Sequence, residues 1–569
     1  MEKWLDGFLS GYKTAFYTDQ VLTVIMLFFL GLIFLMLVKR RADCFMDLLL
    51  SYPLGLSVYV ISGIILLIFN VEFKLQNLIV SCVILLAVYY LISSTLKNAD
   101  PADNISENGR TKTYTHPEAY PTQKKGFRLS KKNFCGFMFP GLKTMGIVIL
   151  SVMIIAGIAC IGIFPVMISQ DSMYRYSLYP RAIIRYGYLK REYNVFLTDV
   201  GLGGAVLGTL PYVFGFNETF GIQTALNLNF LMVFGYAVKN VYCKNTKDKT
   251  GLSGINKELI ATVLIALLIL ITSMPFYINS KWAISNMYFM EYLFICVYCA
   301  VYYKKELNVL TGTIKAPKEQ EALAEKGTEA ENVLVFSALF IMLSSLRMEG
   351  VVFLILLLLS CLILDYKGSL LANLVMLPCI LIYATYYYRI FRTMIIDAPY
   401  TFLTEKKAVL QLVSMAVLYL FMILSGYGFL PAIKKRLKAI ITAGLLLINL
   451  CLFFLDKTLY LADIRACYNN LTRQSGWGVL PVFYVSATAL LIFICITEKR
   501  KYKFSFMDFL VFSYVLVTVI AGFARGDALQ EGIGDSGNRV LLQIVPLAVF
   551  AVLEHFIDEV YDRMGRQTR

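Results

Sequence analysis

The stretch Ser169-Gln-Asp-Ser-Met-Tyr-Arg-Tyr-Ser-Leu-Tyr-Pro-Arg-Ala-Ile-Ile-Arg-Tyr-Gly187 breaks a long series of apolar runs and follows directly on one of them, over 142–168. It carries one acid, Asp171, and then Arg175, Arg181 and Arg185 set among tyrosines. A carboxylate at the lip of a membrane helix is costly against lipid. It is useful where a site handles phosphate-linked substrates, because the planar fork of arginine matches phosphate oxygens. Bases and aromatic residues spaced three and four apart over 173–193 predict helices lying in the membrane interface.

The composition around this stretch sets the class. The chain has 569 residues, of which 58% are hydrophobic and 16% charged, with a mean hydropathy of +0.67. A soluble globule carries roughly a quarter of charged residues, so that class is excluded. Apolar runs of about 17 to 25 residues recur along the chain, and in lipid a helix of that length satisfies its own backbone groups. The expected fold is an all-α polytopic membrane protein with about fifteen transmembrane helices.

Basic residues fall on one side of that arrangement. Lys39-Arg40-Arg41, the linker with Lys124, Lys125, Arg128, Lys131 and Lys132, Lys304-Lys305, Lys434-Lys435-Arg436 and the tail to Arg569 alternate with poorly charged turns. The positive-inside rule makes that side cytoplasmic, which puts the N-terminus outside, the C-terminus inside and Asp171 outside. The net charge of +15 then reflects topology and attraction to an anionic inner leaflet, and nucleic acid is not an expected partner. No cleavable signal peptide is apparent, since the first apolar run begins near Val21 and is long enough to span. The twelve cysteines are scattered and imply no disulfide framework.

Three segments are expected: a three-helix block over 1–97, a flexible cytoplasmic linker over 98–141 rich in Asn, Thr, Pro, Gly and Lys, and a transmembrane core over 142–569. Within the core, 200–215 is apolar but holds Gly201, Gly203, Gly204, Gly208 and Pro211, and reads as a flat or re-entrant helix. A true span there would invert the charge pattern downstream. The loop over 455–478 is short and external. His116, in Thr115-His-Pro, is a solvated linker residue.

Two other short motifs stand at external helix ends: Ser345-Leu-Arg-Met-Glu-Gly350 and Gly534-Asp-Ser-Gly-Asn-Arg-Val-Leu-Leu-Gln-Ile-Val-Pro546. The order of apolar helix, Asp171, Tyr/Arg-rich loop, Gly-rich segment and then Gly221-Ile-Gln-Thr-Ala-Leu-Asn-Leu-Asn-Phe230 opening the next span, with these two motifs, resembles the GT-C superfamily of integral membrane glycosyltransferases. Protein O-mannosyltransferases, aminoarabinose transferases and bacterial cell-envelope transferases belong to it. The resemblance covers roughly 142–557. It implies a GT-C-like core with a long first external loop, and inverting transfer of a sugar from a polyprenyl-phosphate donor to a lipid, glycan or protein acceptor of the cell envelope. It implies Asp171 as general base and Arg347, Glu349 and Arg539 at the substrate, with Arg175, Arg181 and Arg185 as further phosphate contacts. The chain departs from the superfamily in having Ser172 after Asp171, three leading helices and no soluble C-terminal domain.

The chemistry asks for the same groups on its own terms. Sugar transfer needs a base for the acceptor hydroxyl and cations to hold the departing phosphate. No metal ligand set and no cofactor are expected, while a divalent cation is compatible with the same carboxylates. Each residue also has a structural reading: Asp171 as a helix cap, Arg347 and Glu349 as a pair bracing a hairpin, Arg539 as a snorkelling anchor, and the loop arginines as headgroup contacts. The competing functions are a transporter or flippase of lipid-linked or anionic substrates, and an O-antigen-type polymerase or ligase. The first calls for charge at mid-span depth, the second for a large late external loop rich in Arg and His.

The topology has a direct check. A cysteine placed at position 120 should stay unlabelled when a membrane-impermeant maleimide is added to intact cells. Ready labelling there would put Asp171 on the cytoplasmic side and remove its proposed role.

Overall fold

The computed structural model describes residues 14–39, 45–98, 178–187, 201–214, 220–246, 257–271, 276, 279, 285–313, 318–347, 349–393, 405–426, 431–472, 480–497, 505–525, 529 and 536–567. Asp171, Arg175, the linker over 98–141 beyond Asn98 and the expected span over 142–168 lie outside them. All secondary structure among the described residues is helical, as an all-α membrane protein requires.

The chain opens with α1 (Thr14–Lys39), α2 (Phe45–Ile68) and α3 (Leu75–Asn98). Three short helices follow, α4 (Leu178–Tyr186), α5 (Leu202–Leu207) and α6 (Leu210–Val213). Then come α7 (Phe220–Thr246), α8 (Lys257–Ile271), α9 (Ser285–Thr313), α10 (Lys318–Leu346) and α11 (Gly350–Ile363). The next unit is composite: α12 (Gly368–Leu371), a π-helical turn over Ala372–Met376, and α13 (Leu377–Thr393). The chain ends with α14 (Glu405–Gly426), α15 (Pro431–Leu455), α16 (Lys457–Thr472), α17 (Leu480–Thr497), α18 (Phe506–Arg525), α19 (Ser536–Leu542) and α20 (Val545–Gln567). Among the described residues eight helices are long and apolar enough to cross a membrane.

The polar stretch from Lys318 and the apolar run after it form one helix, α10, whose apolar part begins at Glu329. The stretch read as a loop over 455–478 contains α16, which starts where Asp456 Oδ1 accepts the Leu459 N–H at 2.9 Å. Its Asp463, Ala466, Asn469 and Asn470 are buried, and the Leu529 N–H donates to Asp463 Oδ1 at 2.9 Å. The segment read as flat or re-entrant is α5 and α6, twelve residues over Leu202–Val213. At 1.5 Å per residue that is roughly 18 Å, too short for a core of about 30 Å.

Helices in lipid gain little from burying apolar surface against each other, so close packing and interhelical hydrogen bonds must hold the bundle. Both converge on α2, which packs against α1, α3, α5, α7 and α10. At the α1–α2 crossing a Cβ on Gly31 would collide with the Ser51 carbonyl, and one on Gly55 with the Leu27 carbonyl. Only hydrogen at both positions lets the two backbones meet. Pro53 lies inside α2 and has no N–H, so the Leu49 carbonyl one turn earlier loses its usual donor. Asn229 of α7 replaces it, donating from Nδ2 to Leu49 O at 2.8 Å. The Pro53 carbonyl in turn accepts the Tyr292 hydroxyl of α9 at 2.7 Å.

The two ends of the bundle differ in chemistry. At one end Lys39 pairs with buried Asp47 at 2.8 Å, and Tyr303 donates to the same carboxylate at 2.9 Å. Nearby, Lys304 donates to the Asp365 carbonyl at 3.1 Å and lies 3.9 Å from Glu329. His555 and Asp508 meet at 2.6 Å. At the other end α9 begins near Asn286, about 26 Å along the helix from Tyr303. The α2–α3 turn docks there on Gly187, whose carbonyl accepts the Phe73 N–H at 2.5 Å.

The Pro53–Asn229 pairing sets a stability prediction. Asn229→Leu should lower stability in detergent by about 1 kcal/mol, because it strands a backbone carbonyl in an apolar interior. In a Pro53→Ala background, where the missing N–H is restored, the same change should cost much less by thermal unfolding. Equal losses in both backgrounds would separate Asn229 from the proline.

Candidate functional site

The motif Ser345-Leu-Arg-Met-Glu-Gly350 forms the turn between α10 and α11, and several elements close on it. Gly201 sits at φ +81, and a Cβ there would stand 2.6 Å from the Ser345 carbonyl oxygen and 2.8 Å from the Arg347 nitrogen. A side chain is thus excluded by conformation and by space alike. Gly203 lies against the Ser345 side chain, and the Tyr383 hydroxyl of α13 donates to the Ser344 carbonyl. Tyr59 of α2 and Thr209 share a hydroxyl hydrogen bond of 2.7 Å, and Val206 packs against Gly63. The Gly-rich segment is therefore wedged between α2 and the α10–α11 turn.

This turn gathers a polar cluster. Arg347 donates through Nε to Glu349 Oε1 and through Nη1 to Asn286 Oδ1 at the start of α9. Gln543, between α19 and α20, places Nε2 3.5 Å from the same Glu349 oxygen. Arg347 and Glu349 are each 16% exposed, so the pair is partly shielded yet within reach of the aqueous end. Arg539 lies one helical turn before Gln543 and is half-buried on α19. Deeper in α9, about 7 Å beyond Asn286, Glu291 is fully buried. With its amide oriented to donate, Asn227 Nδ2 lies 2.5 Å from Glu291 Oε1 and 3.1 Å from the Gln223 carbonyl.

The loop arginines sit nearby on α4. Tyr179, Ala182 and Ile183 face inward while Arg181 and Arg185 are exposed, as a helix lying along a membrane surface requires. Arg181 Nε donates to the Tyr212 hydroxyl at 2.9 Å, and α4 packs against α5 and α6. Arg185 lies 5.6 Å from the centre of the Tyr186 ring.

The structure thus joins Arg347 with Glu349 and brings the Arg539 segment to them through Gln543. It sets Arg181 and Arg185 on an element one layer away, across α5. Asn286 and Gln543 join the cluster and were not singled out in the sequence. Asn286 follows Trp282 by four residues in the sequence, and Gln543 falls inside the quoted late motif, but neither residue type signals a site by itself.

Among the described residues no three His, Cys, Asp or Glu side chains converge as a metal would need. Burial, with the charge of Asp463 added, pushes the Cys467 thiol on α16 up to about 12, so it is not a ready nucleophile. No family model matches the chain, and no curated protein or solved structure does either.

The cluster makes a measurable claim about charge. Arg347→Met strands Glu349 in a poorly solvated turn and should cost about 1–3 kcal/mol. Adding Glu349→Gln should recover part of that loss in thermal unfolding of the purified protein. A double variant as unstable as the sum of the two single ones would mean the charges do not interact.

Proposed function

We propose that this protein is an integral membrane glycosyltransferase of GT-C type, moving a sugar from a polyprenyl-phosphate donor to a cell-envelope acceptor at the outer face of the cytoplasmic membrane, with inversion. In this reading the bundle has about fifteen spans, the N-terminus is outside and the C-terminus cytoplasmic. Asp171 takes the acceptor proton, and arginines hold the donor phosphate as its charge grows on departure.

The observation that carries the reading is the half-buried Arg347–Glu349 pair with Asn286 and Gln543 at one end of an otherwise apolar bundle. It lies away from the end that holds Lys39 and Lys304, which the positive-inside rule makes cytoplasmic. Arg347 offers a planar fork in a place partly shielded from water, where each charge-assisted hydrogen bond is stronger than in bulk solvent. Arg181 and Arg185 add an exposed cationic face that draws in anionic headgroups.

One observation favours a transporter. Glu291 is a buried carboxylate inside a helix bundle, the kind of group that marks ion or proton pathways. Against it, Asn227 already engages Glu291 Oε1 at 2.5 Å, and the arginines of this half of the bundle gather at the Arg347 turn and not beside Glu291.

The test is turnover in nanodiscs with a radiolabelled polyprenyl-phosphate hexose or pentose. Release of polyprenyl phosphate should fall by roughly 10²–10⁴-fold in Asp171→Asn while the protein stays folded. Normal turnover in that variant would reduce Asp171 to a helix cap. Absence of sugar release from every lipid-phosphate donor, together with a substrate flux abolished by Glu291→Gln, would establish the transporter instead.

A further inference from the structure

A cleft of about 330 Å³ opens between α2, α3, α10 and the π turn with α13. Ile61 and Ile65 of α2, Leu85 and Ile92 of α3, and Leu334 and Ile341 of α10 form its walls. All of these elements are among the helices long and apolar enough to span. At its rim Val88 is 43% exposed and Leu381 60% exposed, so the cleft opens sideways where a bilayer would press against it.

The polar groups in the lining are engaged with the protein itself. Tyr89 bonds Ser337 at 3.2 Å, Asn373 accepts the Tyr419 hydroxyl at 3.1 Å, and Thr385 donates to the Leu381 carbonyl at 2.8 Å. Such a lining offers little to water or a polar ligand and suits a hydrocarbon. From Asn373 to Thr385 the wall runs about 18 Å, close to the depth of one leaflet's acyl region. The π turn supplies Asn373 and Leu374 to this wall, and π turns are rare and concentrate at functional positions.

A cation lies just beyond the lining. Arg389 lies one helical turn beyond Thr385 on the same face of α13, and its Nη1 reaches the Leu67 carbonyl at 3.5 Å, beside the α2–α3 turn. A hydrocarbon slot capped by a guanidinium matches a molecule with an apolar chain and a phosphate head.

We propose that this cleft holds one acyl chain of an anionic phospholipid from the surrounding bilayer, with its phosphate at Arg389. The site needs only that the bundle lies in a membrane and does not depend on the transferase reading. Its occupant is structural, filling the gap that α2 and α3 leave against α10 and α13.

Native mass spectrometry of the full chain, released from nanodiscs of phosphatidylcholine with phosphatidylglycerol, tests it. The wild-type protein should retain phosphatidylglycerol over phosphatidylcholine, and Arg389→Gln should weaken that preference by about fivefold. Leu381→Trp, at an exposed rim position that tolerates bulk, should block the slot and remove the adduct while thermal unfolding still shows a folded protein. Equal retention of both lipids, or a preference that survives both substitutions, would overturn the proposal. So would displacement of phosphatidylglycerol by polyprenyl phosphate at equal mole fraction, which would make the cleft an isoprenoid site.

Discussion

The approach of Gly201 to the backbone of Ser345, Leu346 and Arg347 is the contact on which the Arg347 end of this molecule depends. It lets a Gly-rich segment too short to span lie between α2 and the α10–α11 turn, and so it sets where Arg347 can point. Asn286, Gln543 and Tyr383 then close on the same turn from α9, the α19–α20 junction and α13. In lipid no large gain from apolar burial would correct a misplaced turn, so steric fit and hydrogen bonding must define it. A side chain at Gly201 would push the turn away from its partners and disperse the cluster.

The same rule explains how the rest of the bundle tolerates its irregularities. Pro53 interrupts the most connected helix by removing a donor, and Asn229 of α7 supplies that donor to the Leu49 carbonyl, while Tyr292 of α9 adds a bond to the Pro53 carbonyl. Charges follow the pattern as well. Asp47 and Glu329, buried at one end, face Lys39 and Lys304, while the other end concentrates arginine. Lysine near a helix end reaches for water and anionic headgroups, whereas arginine at a shielded turn keeps a fixed fork. That difference is the physical basis for proposing phosphate recognition at the Arg347 end.

Much of the fold was legible because hydropathy over a span-length window is a strong signal. The amphipathic pattern of α4 and the glycines of the short α5–α6 segment also announced themselves. The motif around Arg347 and Glu349 was legible as a helix turn, and the structure gives it two partners. What could not be read were contacts across long separations, such as Asn286 with Arg347 or Gln543 with Glu349, since Asn and Gln carry no charge signal and their meaning lies in what faces them. The π turn at Ala372–Met376 and the helix α16 in an expected loop were hidden for a related reason: both depend on tertiary packing. The central acid, Asp171, lies outside the described residues, so its place near Arg347 stands as part of the proposal.

The most direct measurement is an experimental map of the protein in nanodiscs with bound polyprenyl phosphate, in which the position of the phosphate is read against Arg347. The account predicts phosphate density at the Arg347 end, within hydrogen-bonding reach of that guanidinium or of Arg539, with Asp171 facing the same space. Phosphate bound instead at the Lys39 and Lys304 end, or a cluster left sealed by Glu349, Asn286 and Gln543 while the lipid sits elsewhere, would contradict it.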